Sequence, residues 1–424
     1  MRVLLISANT ERINILPLPL GMNCVAAATR SAGHEVKLVD LMTERDDQSP
    51  IREAMVSFAP EIVGISVRNI DDQNMEKPRF LLDQAKRIVA CCRELSDVPI
   101  VVGGAGYSIF PESALNYLEA DMGIQGEGEA SFPLLLKRLE QGHDLSGIPA
   151  LYVRGAGLQG KRGFEVDLDR FPPAGPDLLS PEVSGRQEFW IPVQTRRGCP
   201  MACSYCSTAI IEGRSIRKRR PDLIIEEIAG HAAAGFPRFY FVDNLFNIPG
   251  DYAKEICNRI IERRLTISWR CIVYPGEVDE QLVGLMAEAG CMEVSLGFES
   301  GCERILRNMN KRYSPDDIRR TSAMLKDAGI RQIGFLLLGG PGETGESVEE
   351  SLVFADSLHL DNLKMTIGIR IYPHTALAKT TAAEGLIPPG DDLLHPRFYC
   401  VSGLRDWLYD TVRFWMADRP HWMF

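Results

Sequence analysis

The sequence has no uninterrupted apolar stretch near the roughly 18 to 20 residues that a membrane-spanning helix needs, so no bilayer span is expected. It has no basic excess either: 47 Lys and Arg stand against 57 Asp and Glu, a formal charge of -10. A general electrostatic grip on nucleic acid needs the opposite balance, and no nucleic-acid partner is expected. Neither GxGxxG nor GxxxxGK followed by Ser or Thr occurs, so a nucleotide-phosphate fingerprint is missing. The seven histidines are scattered, with no HxxxH pair and no second CxxC to complete a closed zinc site. The start MRVLLISANTERI has one arginine, a short apolar run and then polar residues. That order does not fit a signal peptide, and the expected compartment is the cytoplasm.

What is present is a globular composition, 45% apolar and 25% charged, over 424 residues, a length that suggests two or three domains. In residues 1–150 the apolar runs RVLLIS, EVKLVD, EIVGIS and IVVGG alternate with stretches whose apolar residues recur at helical spacing. This rhythm predicts an α/β, doubly wound (Rossmann-like) sheet whose ligand crevice lies at the carboxyl ends of the strands. VVGGAGYSIFPE and MGIQGEGEASF fall at two such ends, and Gly103, Gly104, Gly126 and Gly128 there are either tight turns or places where backbone meets a ligand.

Residues 151–189 are rich in glycine and proline and read as a linker. From 190 to about 385 the alternation resumes, with strands expected at FWIPVQT, RFYFVD, ISWRCIV, MEVSLGF, RQIGFLLLG and LKMTIGIRIY. Six strands with helices between them suggest most of a β/α barrel, whose chemistry sits at the carboxyl ends of its strands. Residues 386–424 form a short extension with three of the five tryptophans, expected to pack over an open face of the fold.

Eleven cysteines are an odd count at irregular spacing, which argues against a disulfide framework. Cys24, Cys91, Cys257 and Cys291 sit in apolar or helical surroundings and read as buried free thiols. Only Cys199, Cys203 and Cys206 cluster, in RRGCPMACSYCS after the first strand of the second half. Thiolates at CxxxCxxC spacing can converge on a soft metal centre. Structural zinc would want a fourth ligand. Three cysteines also fit an iron-sulfur cluster with one iron left open, since such clusters are normally held by four thiolates.

CPMACSYC in this setting resembles the signature of the radical S-adenosylmethionine (SAM) enzymes. The resemblance implies a 4Fe-4S cluster held by Cys199, Cys203 and Cys206, its fourth iron taking the amino and carboxylate groups of SAM. Further positions carry over from the same family. Tyr205 matches the aromatic position near adenine. Asp243 and Asn244 in FVDNLFN match groups at the SAM amino end. Arg270 in WRCIVYP, with Ser295 and Glu299 in SLGFESG, matches contacts to the ribose and carboxylate region, and Gly334 opens the strand along adenine. Each has a plainer alternative: Arg270 and Glu299 as an ion pair across the barrel, Asp243 as a helix cap. Lys311 and Arg312 in GFESGCERILRNMNKRYS could pair with a carboxylate or remain solvated.

Residues 1 to 140 resemble the cobalamin-binding domain that precedes the radical SAM domain in one large subclass. That likeness implies a partial (β/α)6 barrel behind it. It places Ser66, Gly103, Gly104, Gly126 and Glu127 in a cobalamin pocket, with Asn9, Arg68 and Asn69 in adjoining loops. The DxHxxG string that supplies a lower cobalt ligand elsewhere does not occur.

The expected function is a cobalamin-dependent radical SAM methyltransferase of a small molecule or peptide, served by an electron donor such as flavodoxin or ferredoxin. A non-methylating radical reaction or a non-catalytic metal- or ligand-binding protein are the alternatives. Cys400, in HPRFYCVSGL, is a fourth ligand, a hydrogen-atom donor or an inert thiol.

Overall fold

Runs of branched apolar residues with no polar alternation form strands only where both faces are covered, and the first half of the chain meets that condition. The computed structural model describes residues 1–11, 18–42, 48–176 and 189–424. Strands β1 (Arg2–Ser7), β2 (Glu35–Asp40), β3 (Ile62–Ser66), β4 (Ile100–Gly103) and β5 (Met122–Ile124) run parallel in the order β2-β1-β3-β4-β5. Alternate residues separate two cores. Val3, Leu5, Ile62 and Val101 pack with Met22 and Ala26 of the helix Leu20–Ser31 and Phe132 and Leu135 of Gly128–Glu140. Leu4, Ile6, Val63, Ile65 and Val102 face the opposite side, against Ile51, Leu82 and Ile88.

Part of the stretch expected as a linker belongs to this sheet. β6 (Leu151–Val153) and β7 (Gly157–Leu158) extend it antiparallel beyond β5. The glycines read as linker make the tight reversal between these two short strands. The later part of that stretch, residues 177–188, lies outside the described residues.

The second half forms a parallel sheet of β8 (Ile191–Val193), β11 (Arg238–Phe241), β12 (Ser268–Val273), β13 (Cys291–Glu299), β14 (Arg331–Leu338) and β15 (Asn362–Ile367), in chain order across the sheet. Between β8 and β11 a small antiparallel hairpin, β9 (Arg196–Arg197) with β10 (Arg217–Lys218), brackets the cysteine loop. Along β12, Trp269, Cys271 and Val273 are buried in the outer core, while Ser268, Arg270 and Ile272 take the opposite, half-buried face.

The tail completes the edge of this sheet. β16 (Ile369–Arg370) pairs with β17 (Phe398–Tyr399), the helix Arg405–Met416 buries Leu408, Tyr409 and Val412, and β18 (Trp422–Met423) pairs parallel with β15. Trp415 stacks on Trp422 with ring centroids 5.8 Å apart.

One face of the first sheet shares its core with the second half: Ile305, Met309, Leu337, Ile369, Tyr372 and Leu377 pack into the cluster that holds Leu4 and Ile65. A buried ion pair, Arg370 Nε to Asp71 Oδ2 at 2.7 Å, crosses the same interface. Among the described residues no helix is long and apolar enough to cross a membrane.

Candidate active site

The carboxyl ends of the first sheet face the β8–β11 side of the second, and a cavity of about 500 Å³ opens between them. Its inner part is an apolar slot between sheet and helices, lined by Leu5, Met22, Val25, Val101, Ile124 and Phe132. Its mouth is polar. Asn9, Ser66, Arg68, Gly103, Gly104, Gly126 and Glu127 line it from one side, and Trp190, Gln194, Tyr240, Asn244 and Glu212 from the other. Asn69 stands outside, in a small recess beside Arg68.

Several of these residues are free to meet a ligand and others are engaged. Asn9 Nδ2 is buried without a hydrogen-bond partner among the described residues. Burial pushes the Arg68 guanidinium below its ordinary range, beside Tyr240, even though much of its surface is open to the cavity. Gly104 turns at φ +101°, where an added Cβ would stand 2.5 Å from the Val67 carbonyl oxygen, so this glycine is demanded by the turn itself. Glu127 is a strut: it accepts from Arg217 Nη1 and from the Glu165 amide at 2.9 Å, with Arg197 at 3.6 Å.

The cysteine loop is tied down by its backbone. The Cys199 amide donates to the Gly213 carbonyl at 3.1 Å, the Ser204 amide to Met309 at 3.0 Å, and the Ser204 carbonyl accepts from the Leu377 amide at 2.8 Å. Burial, with Cys206 and Cys203 adding, pushes the Cys199 thiol up to about 11. Burial pushes the Cys203 thiol up as well, and a cation beside these two cysteines would stabilise them as thiolates. No group of three or more His, Cys, Asp or Glu side chains among the described residues is drawn together as around a single metal ion. All eleven cysteines are free.

Positions carried over for SAM divide sharply. Tyr205 and Glu299 meet at Lys311, whose Nζ lies 3.2 Å from Glu299 Oε1 and 5.3 Å from the centre of the Tyr205 ring. Burial alone would lower the Lys311 ammonium, but Glu299 beside it holds it well above its usual range. Lys311 is thus a buried ion-pair partner, while Arg312 is exposed. Arg270 does not pair with Glu299. Strand register sets it opposite Glu293, which it meets at 3.3 Å, and stacks it 4.3 Å from the Trp190 ring, a layer below the strand ends.

Asp243 is fully buried and neither caps a helix nor faces the cavity. It accepts from the Thr195 amide (2.7 Å), Thr195 Oγ1 (2.6 Å) and the Arg196 amide (3.1 Å), which consumes its carboxylate in bracing the chain before the cysteines. Ser295 stands mid-strand, in register with Ile272 and Ile333, away from the cavity wall. Gly334 faces the outer core: an added Cβ would lie 2.4 Å from Leu360 and 2.8 Å from Phe298, so packing explains this glycine. Cys400 sits half-buried at the end of β14, within 3.0 Å of where a Gly339 side chain would begin, and burial and then Glu343 push its thiol up.

Comparison with known families matches the radical SAM superfamily over residues 193–355 and a B12 binding domain over residues 9–136. The chain is a radical SAM enzyme with a B12 binding domain. An uncharacterized methyltransferase of Pyrococcus horikoshii is 28% identical over 91% of this chain and 84% of its own length. Cytidylyl-2-hydroxyethylphosphonate methyltransferase of Streptomyces wedmorensis is 27% identical over 78% of this chain and 71% of its own. In fold, the radical SAM methyltransferase TsrM of Kitasatospora setae, with cobalamin and a 4Fe-4S cluster bound, superposes with a TM-score of 0.86 at 22% identity, covering 100% of this chain and 90% of that one.

Judged by its own residues, the B12 domain fits cobalamin. The apolar slot suits the nucleotide tail, and the unpartnered Asn9 amide and the Ser66 hydroxyl suit a ligand rimmed with amide groups. Three free thiols in one short loop of the radical SAM domain, Cys199 buried and Cys203 and Cys206 half-buried, are a soft donor set of the kind that holds a cluster.

The sequence reading missed Glu212, Gln194, Trp190 and Tyr240. Glu212 is the last residue of the short helix Thr208–Glu212 that leaves the cysteine loop. Its one local signal is an acid placed immediately before the basic run GRSIRKRR. Burial pushes its carboxyl above the usual range.

Proposed function

We propose that this radical SAM enzyme methylates an unactivated carbon or phosphorus of a small molecule or peptide, using SAM both as radical source and as methyl donor to cobalamin. The observation that supports this most directly is a large cavity walled by the strand ends of both domains, with the helix leaving the cysteine loop at its rim. A transient radical must be met at once by its reaction partner in a site poor in water, and one shared cavity provides that. When bound, the cluster supplies the electron that splits SAM, and cobalamin supplies the methyl group.

The chain's own residues hold and orient. Cys199, Cys203 and Cys206 would ligate the cluster. Tyr205 and Asn244 would flank SAM, with Glu299 acting through Lys311. Asn9, Ser66, Arg68, Gly103 and Gly126 would border cobalamin. A low-potential carrier such as flavodoxin or ferredoxin would deliver the electron, and eleven free thiols suit a reducing cytoplasm. Likeness to two methyltransferases favours methylation over other radical outcomes.

The test is product analysis after anaerobic cluster reconstitution and cobalamin loading. Methyl transfer yields S-adenosylhomocysteine alongside 5′-deoxyadenosine, and Cys203→Ala abolishes both. Turnover that yields 5′-deoxyadenosine without S-adenosylhomocysteine would replace methylation with another radical reaction.

A further inference from the structure

Arg270 is a guanidinium held in place with one edge unused. It stands on the half-buried face of β12, opposite Tyr240 and Glu293 in the strand register. Its Cζ lies 4.3 Å from the centre of the Trp190 ring and 5.2 Å from that of Tyr240, and both rings line the cavity between the domains. Its Nη1 meets Glu293 Oε1 at 3.3 Å, but Glu293 also serves Arg331, whose Nη2 lies 3.1 Å from Oε2. One carboxylate thus answers two guanidinium groups. Among the described residues, Arg270 Nε and Nη2 are buried without a hydrogen-bond partner. Burial pushes this guanidinium below its ordinary range although Glu293 opposes the shift. A buried donor with no acceptor is costly, and here two stand side by side.

The Nε and Nη2 donors of an arginine lie on one flat edge and point the same way, a fork that matches two oxygens of a carboxylate, phosphonate or phosphate. The two atoms left over on Arg270 are that fork. Stacking on Trp190 and Tyr240 fixes its plane, so little freedom is lost when an oxyanion joins it. We infer that Arg270 anchors an oxyanion group of the substrate, a carboxylate or a phosphonate- or phosphate-type group, at the barrel wall of the shared cavity. The inference rests on that cavity being the site of methyl transfer, and it narrows the substrate to an anionic molecule. The other guanidinium groups on the cavity wall are placed differently. Arg68, across the mouth on the first domain, would border cobalamin, and Arg197 is paired with Glu129.

The test uses the enzyme loaded with cluster and cobalamin, with SAM present and no reductant, so that nothing turns over. Benzoate, phenylphosphonate and the neutral benzamide are titrated into it by isothermal titration calorimetry. The better of the two anions binds the wild type roughly tenfold or more tightly than benzamide does, and which anion it is names the group. Arg270→Gln removes that preference and brings the anion down to the level of the amide. Arg270→Lys, which keeps the charge without the fork, recovers only part of it. A wild type with no preference for either anion overturns the inference, as does a preference that survives in Arg270→Gln. Should Arg270→Gln lose its fold, seen in its melting temperature and cobalamin absorbance, Arg270→Lys carries the test, and full anion affinity there overturns the fork. Turnover that gives no S-adenosylhomocysteine refutes methylation but leaves this binding result standing, so the two readings fail separately.

Discussion

Burial decides at single residues what a side chain's type leaves open. Asp243 and Glu212 are both acids near the cysteine loop, yet the first is saturated by Thr195 and Arg196 while the second lines the cavity. Glu343 shows the same principle in stability. It accepts from the Gly340 amide at 2.8 Å and from the Gly339 amide, but its Oε1 is buried without a partner, and burial pushes its pKa up to about 7. The folded state therefore holds this proton to a higher pH than the unfolded state, and the stability it confers is lost as pH rises from near 4.5 through 7. Glu343→Gln is expected to leave the melting temperature nearly unchanged at pH 5 and to raise it at pH 8, by up to about 3 kcal/mol in unfolding free energy. Thermal melts at the two pH values check this.

Among the elements, the tail was legible as an aromatic segment that packs, but not as a strand. Two residues, Trp422 and Met423, are too few for any period to show, and they pair because β15 presents an open edge. Their hold is the Trp415–Trp422 stack, with the Arg419 guanidinium 4.6 Å and 5.1 Å from the two rings. Trp422→Ala removes a side chain that is only 4% exposed and uncovers that edge. The expected cost is about 3 to 5 kcal/mol, read by chemical denaturation, with increased aggregation on light scattering. The antiparallel β6 and β7 escaped the sequence reading for a similar reason: their glycines signal a turn equally well in a hairpin and in a linker.

At the scale of the whole molecule the domains are joined by a core, not merely a tether. The cluster containing Leu4 and Ile65 continues into Met309, Leu337 and Tyr372, and Arg370–Asp71 closes it with both groups almost fully buried. Such an interface is expected to make the enzyme unfold as one unit. Asp71→Asn leaves a buried guanidinium without its counter-charge and is expected to cost roughly 3 to 5 kcal/mol. Calorimetry is predicted to show one transition in the wild type and a lowered, broadened or split one in the variant.

The sequence by itself determined the two α/β halves and the cysteine triplet, because strand and helix periods and a CxxxCxxC spacing are local properties of a chain. Through the glycine-rich ends of parallel strands it also pointed to Gly103, Gly104 and Gly126 at the cavity mouth, while Asn9, Ser66, Arg68, Glu127 and Asn244 there were indicated only by the family resemblance. Tertiary structure alone decided which charges are spent and which remain available. Glu127 became a strut, Arg270 turned to Glu293, Lys311 was buried against Glu299, and Glu212 was left facing the cavity. Those outcomes depend on distances between segments far apart in the chain, and electrostatic pairing falls off too steeply with distance and with solvent to be read from residue order.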